Sequence, residues 1–329
     1  MHAPLTLLCL PCAGASATMY LRWRRLLPHW IRIAPVELPG RGSRLGEPAV
    51  EDFGQLVSLL CAEQRQAMRG RFALLGHSMG ALLAFGMARQ LREEGRELPL
   101  ALVASGSPAP ACRDPERFAG KGDDAALIAD LRRQGGTPEE VFGSPELMRI
   151  TLDVLGSDYR VCESFGHVPA AGLPLPVHVF AGRQDDIEAP RVQAWSQEAA
   201  GAFTLDWFEG GHFFIRQREG DVLAVLAQRL AGAQSLQGEI HAARVRALGH
   251  EPGHRGLQAG PGPVGRTERQ PAAPDPRGAR SRRALRAGRR PAALRTDARC
   301  HAAAAGAQAG LLPGRCAPGH RHARQALRG

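Results

Sequence analysis

Gly76-His77-Ser78-Met79-Gly80 stands between an apolar run, Phe72-Ala73-Leu74-Leu75, and a long helical pattern that runs from Ala81 to Arg92. A serine between two glycines therefore sits where a buried strand hands over to an amphipathic helix. A tight turn at such a junction pushes the hydroxyl out at the end of a sheet, where chemistry can reach it. Glycine two residues to either side removes the Cβ atoms that would block close approach of strand and helix. In a chain with 39 Gly the pentapeptide alone can arise by chance, so the surrounding sequence has to decide.

Outward from the serine, short apolar runs alternate with helical patterns through residues 1–234. Leu5–Leu10, Ile31–Leu38, Phe72–Leu75, Leu100–Ala104, Val177–Ala181 and Phe203–Phe208 read as strands. Thr18–Leu27, Val50–Met68, Met79–Glu94, Arg191–Ala199 and Glu219–Ala231 read as helices. Strands without a polar face need helices on both sides, which implies a mostly parallel, doubly wound α/β sheet. One interval breaks the alternation. Residues 112–165 hold no strand candidate, only helical patterns such as Ala125–Arg133 and Pro145–Cys162, and read as a helical cap inserted over the serine.

A serine hydroxyl attacks poorly until a base takes its proton, so the turn requires a histidine and a group to orient it. On an α/β-hydrolase sheet the order is serine, acid, histidine, each in a loop after a strand. Asp185, in Gly182-Arg183-Gln184-Asp185-Asp186, and His212, in Gly210-Gly211-His212-Phe213-Phe214, fit that order at the ends of two strand candidates. Asp186 competes with Asp185, because a one-residue shift in the strand end exchanges them, and Asp158 on the cap is a more distant rival. His77 adjoins the serine and should point away from its hydroxyl, while His167 lies at the end of the cap. For the oxyanion, the expected donors are the backbone N–H groups of Met79, first in its helix, and Ala13, in the small-residue loop Pro11-Cys12-Ala13-Gly14-Ala15-Ser16.

The net charge of +10 suggests an anionic partner such as nucleic acid, until the charge is located. From Ser235 onward 18 Arg, no Lys and 5 acidic residues give +13, which leaves −3 for residues 1–234. Residues 235–329 contain no Phe, Trp or Tyr, and 62 of these 95 residues are Arg, Ala, Gly or Pro. So little large apolar surface cannot offset ordering entropy, and the tail is expected to be disordered. Its composition also matches an unselected extension, such as a shifted frame in a GC-rich gene produces; a basic tail that binds nucleic acid is the alternative. The seven cysteines (9, 12, 61, 112, 162, 300 and 316) are odd in number and irregular in spacing. With no signal peptide pattern and no stretch of transmembrane length, the expectation is a soluble cytoplasmic monomer with reduced thiols. Cys9-x-x-Cys12 lies within and just past an apolar run and reads as core rather than as a redox pair.

Several stretches together resemble the type II thioesterases. Pro11-Cys12-Ala13-Gly14 with Tyr20 and Trp23, Leu38-Pro39-Gly40-Arg41, the GHSMG pentapeptide and Gly210-Gly211-His212-Phe213-Phe214 each match a motif of that family. The likeness runs from about Leu5 to Leu230; Ala15 departs from the family's usual glycine, and the tail has no counterpart. The resemblance implies a stand-alone enzyme that hydrolyses acyl or aminoacyl thioesters on the phosphopantetheine arm of carrier proteins, beside nonribosomal peptide or polyketide synthases. It implies no metal and no cofactor beyond the arm that carries the substrate. A carboxylesterase or acyltransferase on the same fold, or a non-catalytic binding protein, are the competing readings.

Overall fold

Each of the expected apolar runs becomes a strand, because parallel pairing satisfies its backbone, on both edges for the inner four, while helices cover the faces of the sheet. The computed structural model of the protein describes residues 4–118 and 121–248. Its strands are β1 (Leu5–Leu10), β2 (Ile31–Pro35), β3 (Phe72–His77), β4 (Leu102–Ser105), β5 (Val177–Gly182) and β6 (Phe203–Phe208). They form one six-stranded sheet in the order β2-β1-β3-β4-β5-β6, with every neighbouring pair parallel. The helices are α1 (Trp23–Leu26), α2 (Phe53–Glu63), α3 (Met79–Glu93), α4 (Asp124–Gln134), α5 (Glu139–Phe142), α6 (Pro145–Glu163), α7 (Ala189–Gln193), α8 (Phe214–Gln217) and α9 (Glu219–Leu248).

Successive side chains of a strand point to opposite faces, and β1 shows the consequence. Leu8 and Leu10 pack in one core with Leu56 and Leu60 of α2 and Leu83 and Met87 of α3. Leu5, Leu7 and Cys9 pack in the other with Trp23 of α1 and Val222, Leu226 and Leu230 of α9. Burying each such leucine contributes about 2–3 kcal/mol, so the two cores fix the register of the central strands. Cys9 and Cys12 are both buried and unpaired, as packing residues would be.

The chain leaves β1 towards β2 on one side and returns across β1 to β3 on the other. Adjacent strands whose connections diverge open a crevice at their C-terminal ends, between the loop after β1 and the turn after β3. Between β4 and β5 the chain builds α4, α5 and α6, where the cap was expected. The cap has its own small core of Leu127, Leu152, Leu155 and Tyr159, against which Ala13 of the β1 loop also packs. Asp130 ties the cap together, accepting from Lys121 at 2.5 Å, Arg133 at 2.7 Å and the Tyr159 hydroxyl at 3.0 Å.

Several boundaries move from their sequence expectation for local reasons. The expected helix over Thr18–Leu27 splits into a 3-10 turn, Ala17–Tyr20, and the single turn α1, because Ser16 caps the first and an extended Leu27 stops the second. The strand expected to reach Leu38 ends at Pro35, although the next N–H, that of Val36, still donates to the Cys9 carbonyl of β1 at 2.9 Å. α2 starts at Phe53 because Asp52 caps it, accepting from the Gln55 N–H at 2.8 Å. α9 passes Gln234, where composition changes, and is described to Leu248; the remainder of the tail, 249–329, lies outside the described residues. Among the described residues no helix is long and apolar enough to cross a membrane.

Candidate active site

Ser78 has φ 55° and ψ −117°, and is the one non-glycine with positive φ among the described residues. Such a conformation costs on the order of 1–3 kcal/mol, so the surroundings must over-determine it. They do. The Ser78 N–H donates to the Ser105 carbonyl on β4 at 2.8 Å, and the Ala81 N–H closes the turn on the Ser78 carbonyl at 3.0 Å. A Cβ on Gly76 would overlap the Gly80 carbonyl, and one on Gly80 would overlap the Leu10 carbonyl of β1. The two glycines thus let β3, the start of α3 and the end of β1 meet with the serine between them.

Asp185 and His212 stand on loops after β5 and β6, and backbone bonds lace these loops together. Arg183 N–H donates to the Phe208 carbonyl at 2.8 Å, and Gln184 N–H to the Gly210 carbonyl at 3.0 Å. Gly182 permits the approach, since a Cβ there would press on the Gly210 and Gly211 carbonyls. The outcome is a carboxylate against an imidazole, with His212 Nδ1 3.0 Å from Asp185 Oδ2 and 3.2 Å from Oδ1. Both side chains are buried, 3% exposed for Asp185 and 8% for His212. That pairing assigns the proton to Nδ1 and leaves Nε2 as the basic nitrogen. Asp186 makes no hydrogen bond to His212 and reaches Arg117 at 3.5 Å.

Ser78, Met79, Ala13 and His212 line one cavity of about 40 Å³, which Phe118 and Tyr159 of the cap region help to enclose. Among the described residues neither the Met79 nor the Ala13 N–H donates a hydrogen bond, and none joins the Ser78 hydroxyl to His212. Serine–histidine contacts of this kind commonly tighten only when substrate is bound. Cys12 also lines the cavity, and burial pushes its thiol up to about 11, so it is protonated at neutral pH.

His77 is fully buried beneath His212, with ring centroids 5.2 Å apart and Nδ1 3.0 Å from the Ser105 hydroxyl. Burial, followed by the neighbouring His212, holds its pKa well below the usual imidazole value, which makes it a neutral packing partner. His167 pairs with Glu198 at 3.2 Å. Asp158, set aside in the sequence as a distant acid, has a different place. It takes a bidentate contact from Arg41, at 2.6 and 2.5 Å, and the Gly14 N–H at 2.8 Å, while Arg41 also donates to the Ala15 carbonyl at 3.2 Å. Both members of the pair are buried, at 5% and 1% exposure. This clasp joins cap helix α6 and the Leu38-Pro39-Gly40-Arg41 loop to the loop that carries Ala13. Composition and periodicity gave no sign of it, because the partners lie 117 residues apart.

A family model described as the thioesterase domain matches residues 5–230. The chain is 34% identical to the thioesterase PikA5 of Streptomyces venezuelae over 232 residues, 70% of this chain and 82% of that protein. Among solved structures, the thioesterase RedJ from the prodiginine pathway of Streptomyces coelicolor superposes with TM-score 0.63 at 33% identity, over 69% of this chain and 90% of that one. The type II thioesterase BorB of the borrelidin cluster gives TM-score 0.63 at 36% identity, over 70% and 94%.

Proposed function

The chain belongs to the thioesterase family, and from that premise we propose that it clears acyl or aminoacyl groups from the phosphopantetheine arm of carrier proteins in nonribosomal peptide or polyketide synthesis. Ser78, His212 and Asp185 are the proposed triad. His212 Nε2 takes the Ser78 proton as the hydroxyl oxygen attacks the thioester carbonyl, and Asp185 steadies the imidazolium through Nδ1–H. The carbonyl oxygen gains negative charge at the N–H groups of Met79 and Ala13, where the start of α3 also favours an anion. The C–S bond breaks, the arm leaves as a thiol with the proton from His212, and an acyl ester remains on Ser78. Water, deprotonated by His212, then cleaves that ester and restores the serine. Thiolate is a good leaving group, so attack is the demanding step and the one these groups serve.

The observation that carries this reading is the Asp185–His212 pair at 3.0 Å, with His212 opening onto the same cavity as a serine held at φ 55°. Similar solved structures such as ClbQ of the colibactin NRPS/PKS pathway and the type II thioesterase YbtT of the yersiniabactin NRPS/PKS pathway support the carrier-bound context. The test is intact-protein mass measurement after mixing with acyl-loaded carrier proteins. An acyl adduct should form on the protein and be absent from Ser78→Ala. Faster turnover of a matching oxygen ester than of the carrier thioester would instead favour a general carboxylesterase.

A further inference from the structure

His77 directly precedes Ser78, yet its ring is not among the groups that line the cavity Ser78 and His212 share. The ring turns instead into the loop after β6. Its centroid lies 5.2 Å from that of His212, 5.9 Å from Phe213 and 5.8 Å from Phe214, so three successive residues of that loop pack on it. Its own place is fixed from another side. Nδ1 is 3.0 Å from the Ser105 hydroxyl at the end of β4. Gly106, at φ 57°, leaves the room the ring occupies, because a Cβ there would come within 2.5 Å of His77 Cε1. Ser105 also accepts the Ser78 N–H through its carbonyl, at 2.8 Å. One residue of β4 therefore holds both the main chain of the nucleophile and the ring that backs the base.

Asp185 holds His212 only at Nδ1. A ring held at one edge can still tilt, and a tilt carries the opposite nitrogen, Nε2, away from the serine. Contact with the rest of the ring limits that tilt. His77 supplies such a contact at an interplanar angle of 45°, and Phe213 another at 83°. The support also has to be uncharged, since His212 becomes a cation as Ser78 attacks and a second cation beside it would oppose that step. Burial, followed by His212 itself, holds the His77 pKa well below the usual imidazole value. We propose that His77 is a positioning residue for the base: packed on the His77 ring, and tied through it to Ser105, His212 keeps Nε2 aimed at the Ser78 hydroxyl. This rests on the triad reading of the site.

A fluorophosphonate that labels an activated serine separates positioning from folding. The final extent of labelling counts competent sites, while its rate reports how well His212 activates Ser78. In His77→Ala the labelling rate, and kcat for an acyl thioester, should fall about tenfold to a hundredfold, the scale that a misplacement of about 1 Å produces. KM should stay within about twofold and the extent of labelling should not change. Ser105→Ala removes only the hydroxyl and keeps the carbonyl that holds Ser78. Its labelling rate should fall about threefold to tenfold, as loss of one hydrogen bond does. The double variant should be no slower than His77→Ala, because Ser105 acts through His77. A reduced extent of labelling at the wild-type rate would make His77 merely structural and overturn the proposal, as would fully additive losses in the double variant. If His77→Ala does not fold, Ser105→Ala decides, and a wild-type rate there overturns it. A wild-type protein that takes up no label would be a different result, and would sink the functional reading along with this one.

Discussion

Asp185 and Asp186 are neighbours in sequence and opposites in environment. Asp185 is 3% exposed and touches His212, whereas the Asp186 side chain is 49% exposed and pairs loosely with Arg117. Replacing Asp185 by Asn keeps the shape but favours the wrong imidazole tautomer, a change that costs about 10³–10⁴ in kcat where such triads operate. Asp186→Asn should change kcat less than about threefold, and steady-state kinetics of the two variants side by side would settle the acid. Equal losses would contradict the assignment. The sequence put Asp185 first, with Asp186 a rival by a one-residue shift and Asp158 a more distant one. Only the end of β5 at Gly182 and the bonds from Arg183 and Gln184 to the His212 loop fix which carboxylate turns inward.

At the scale of elements, the Arg41–Asp158 clasp links α6 to the loop after β1. Removing one partner of a buried ion pair strands the other charge and costs about 3–5 kcal/mol. Asp158→Ala should therefore lower stability by about that amount in urea unfolding, and lower kcat as the Ala13 donor loses its support. Arg41→Met combined with Asp158→Leu should regain much of the stability, since neither charge is left buried alone, yet not the kcat. Full recovery of kcat in the double variant would reduce the clasp to a packing feature. A histidine on β5 sets a second expectation. His178 Nδ1 meets the Thr204 hydroxyl at 2.8 Å and its Nε2 is buried without a partner. Burial first, then Arg229, pushes its pKa down to about 4 from 6.5.

For the molecule as a whole that depression has a definite sign. Between pH 6.5 and 4 the unfolded chain binds a proton at His178 that the folded protein refuses, and buried His77 acts in the same direction. Stability should be intact above pH 6.5 and fall as the pH drops towards 4, by on the order of 3 kcal/mol from His178. Denaturant midpoints measured from pH 7 to 4.5 should show this slope, and His178→Gln should flatten it. Chain length gives another whole-molecule test. The family match ends at residue 230. A chain ended at Gln234 should keep kcat within about twofold and stay soluble; loss of either would show that the tail contributes to the enzyme.

The sequence by itself determined the α/β class, the succession of strands and helices along the chain and the loops that carry Ser78, Asp185 and His212. It could do so because apolar runs of strand length, helical periodicity and glycine spacing are local signals that depend on near neighbours in the chain. It placed β1 and β6 to the residue but overran β2, which ends at Pro35, and it missed the short α8 that follows His212. What only the tertiary structure decided were the contacts between distant segments: the His212–Asp185 bond, the Arg41–Asp158 clasp and the His77 ring packed on His212. These depend on which loops the strand order β2-β1-β3-β4-β5-β6 brings to one edge and on how the cap closes over them, and no local pattern encodes that.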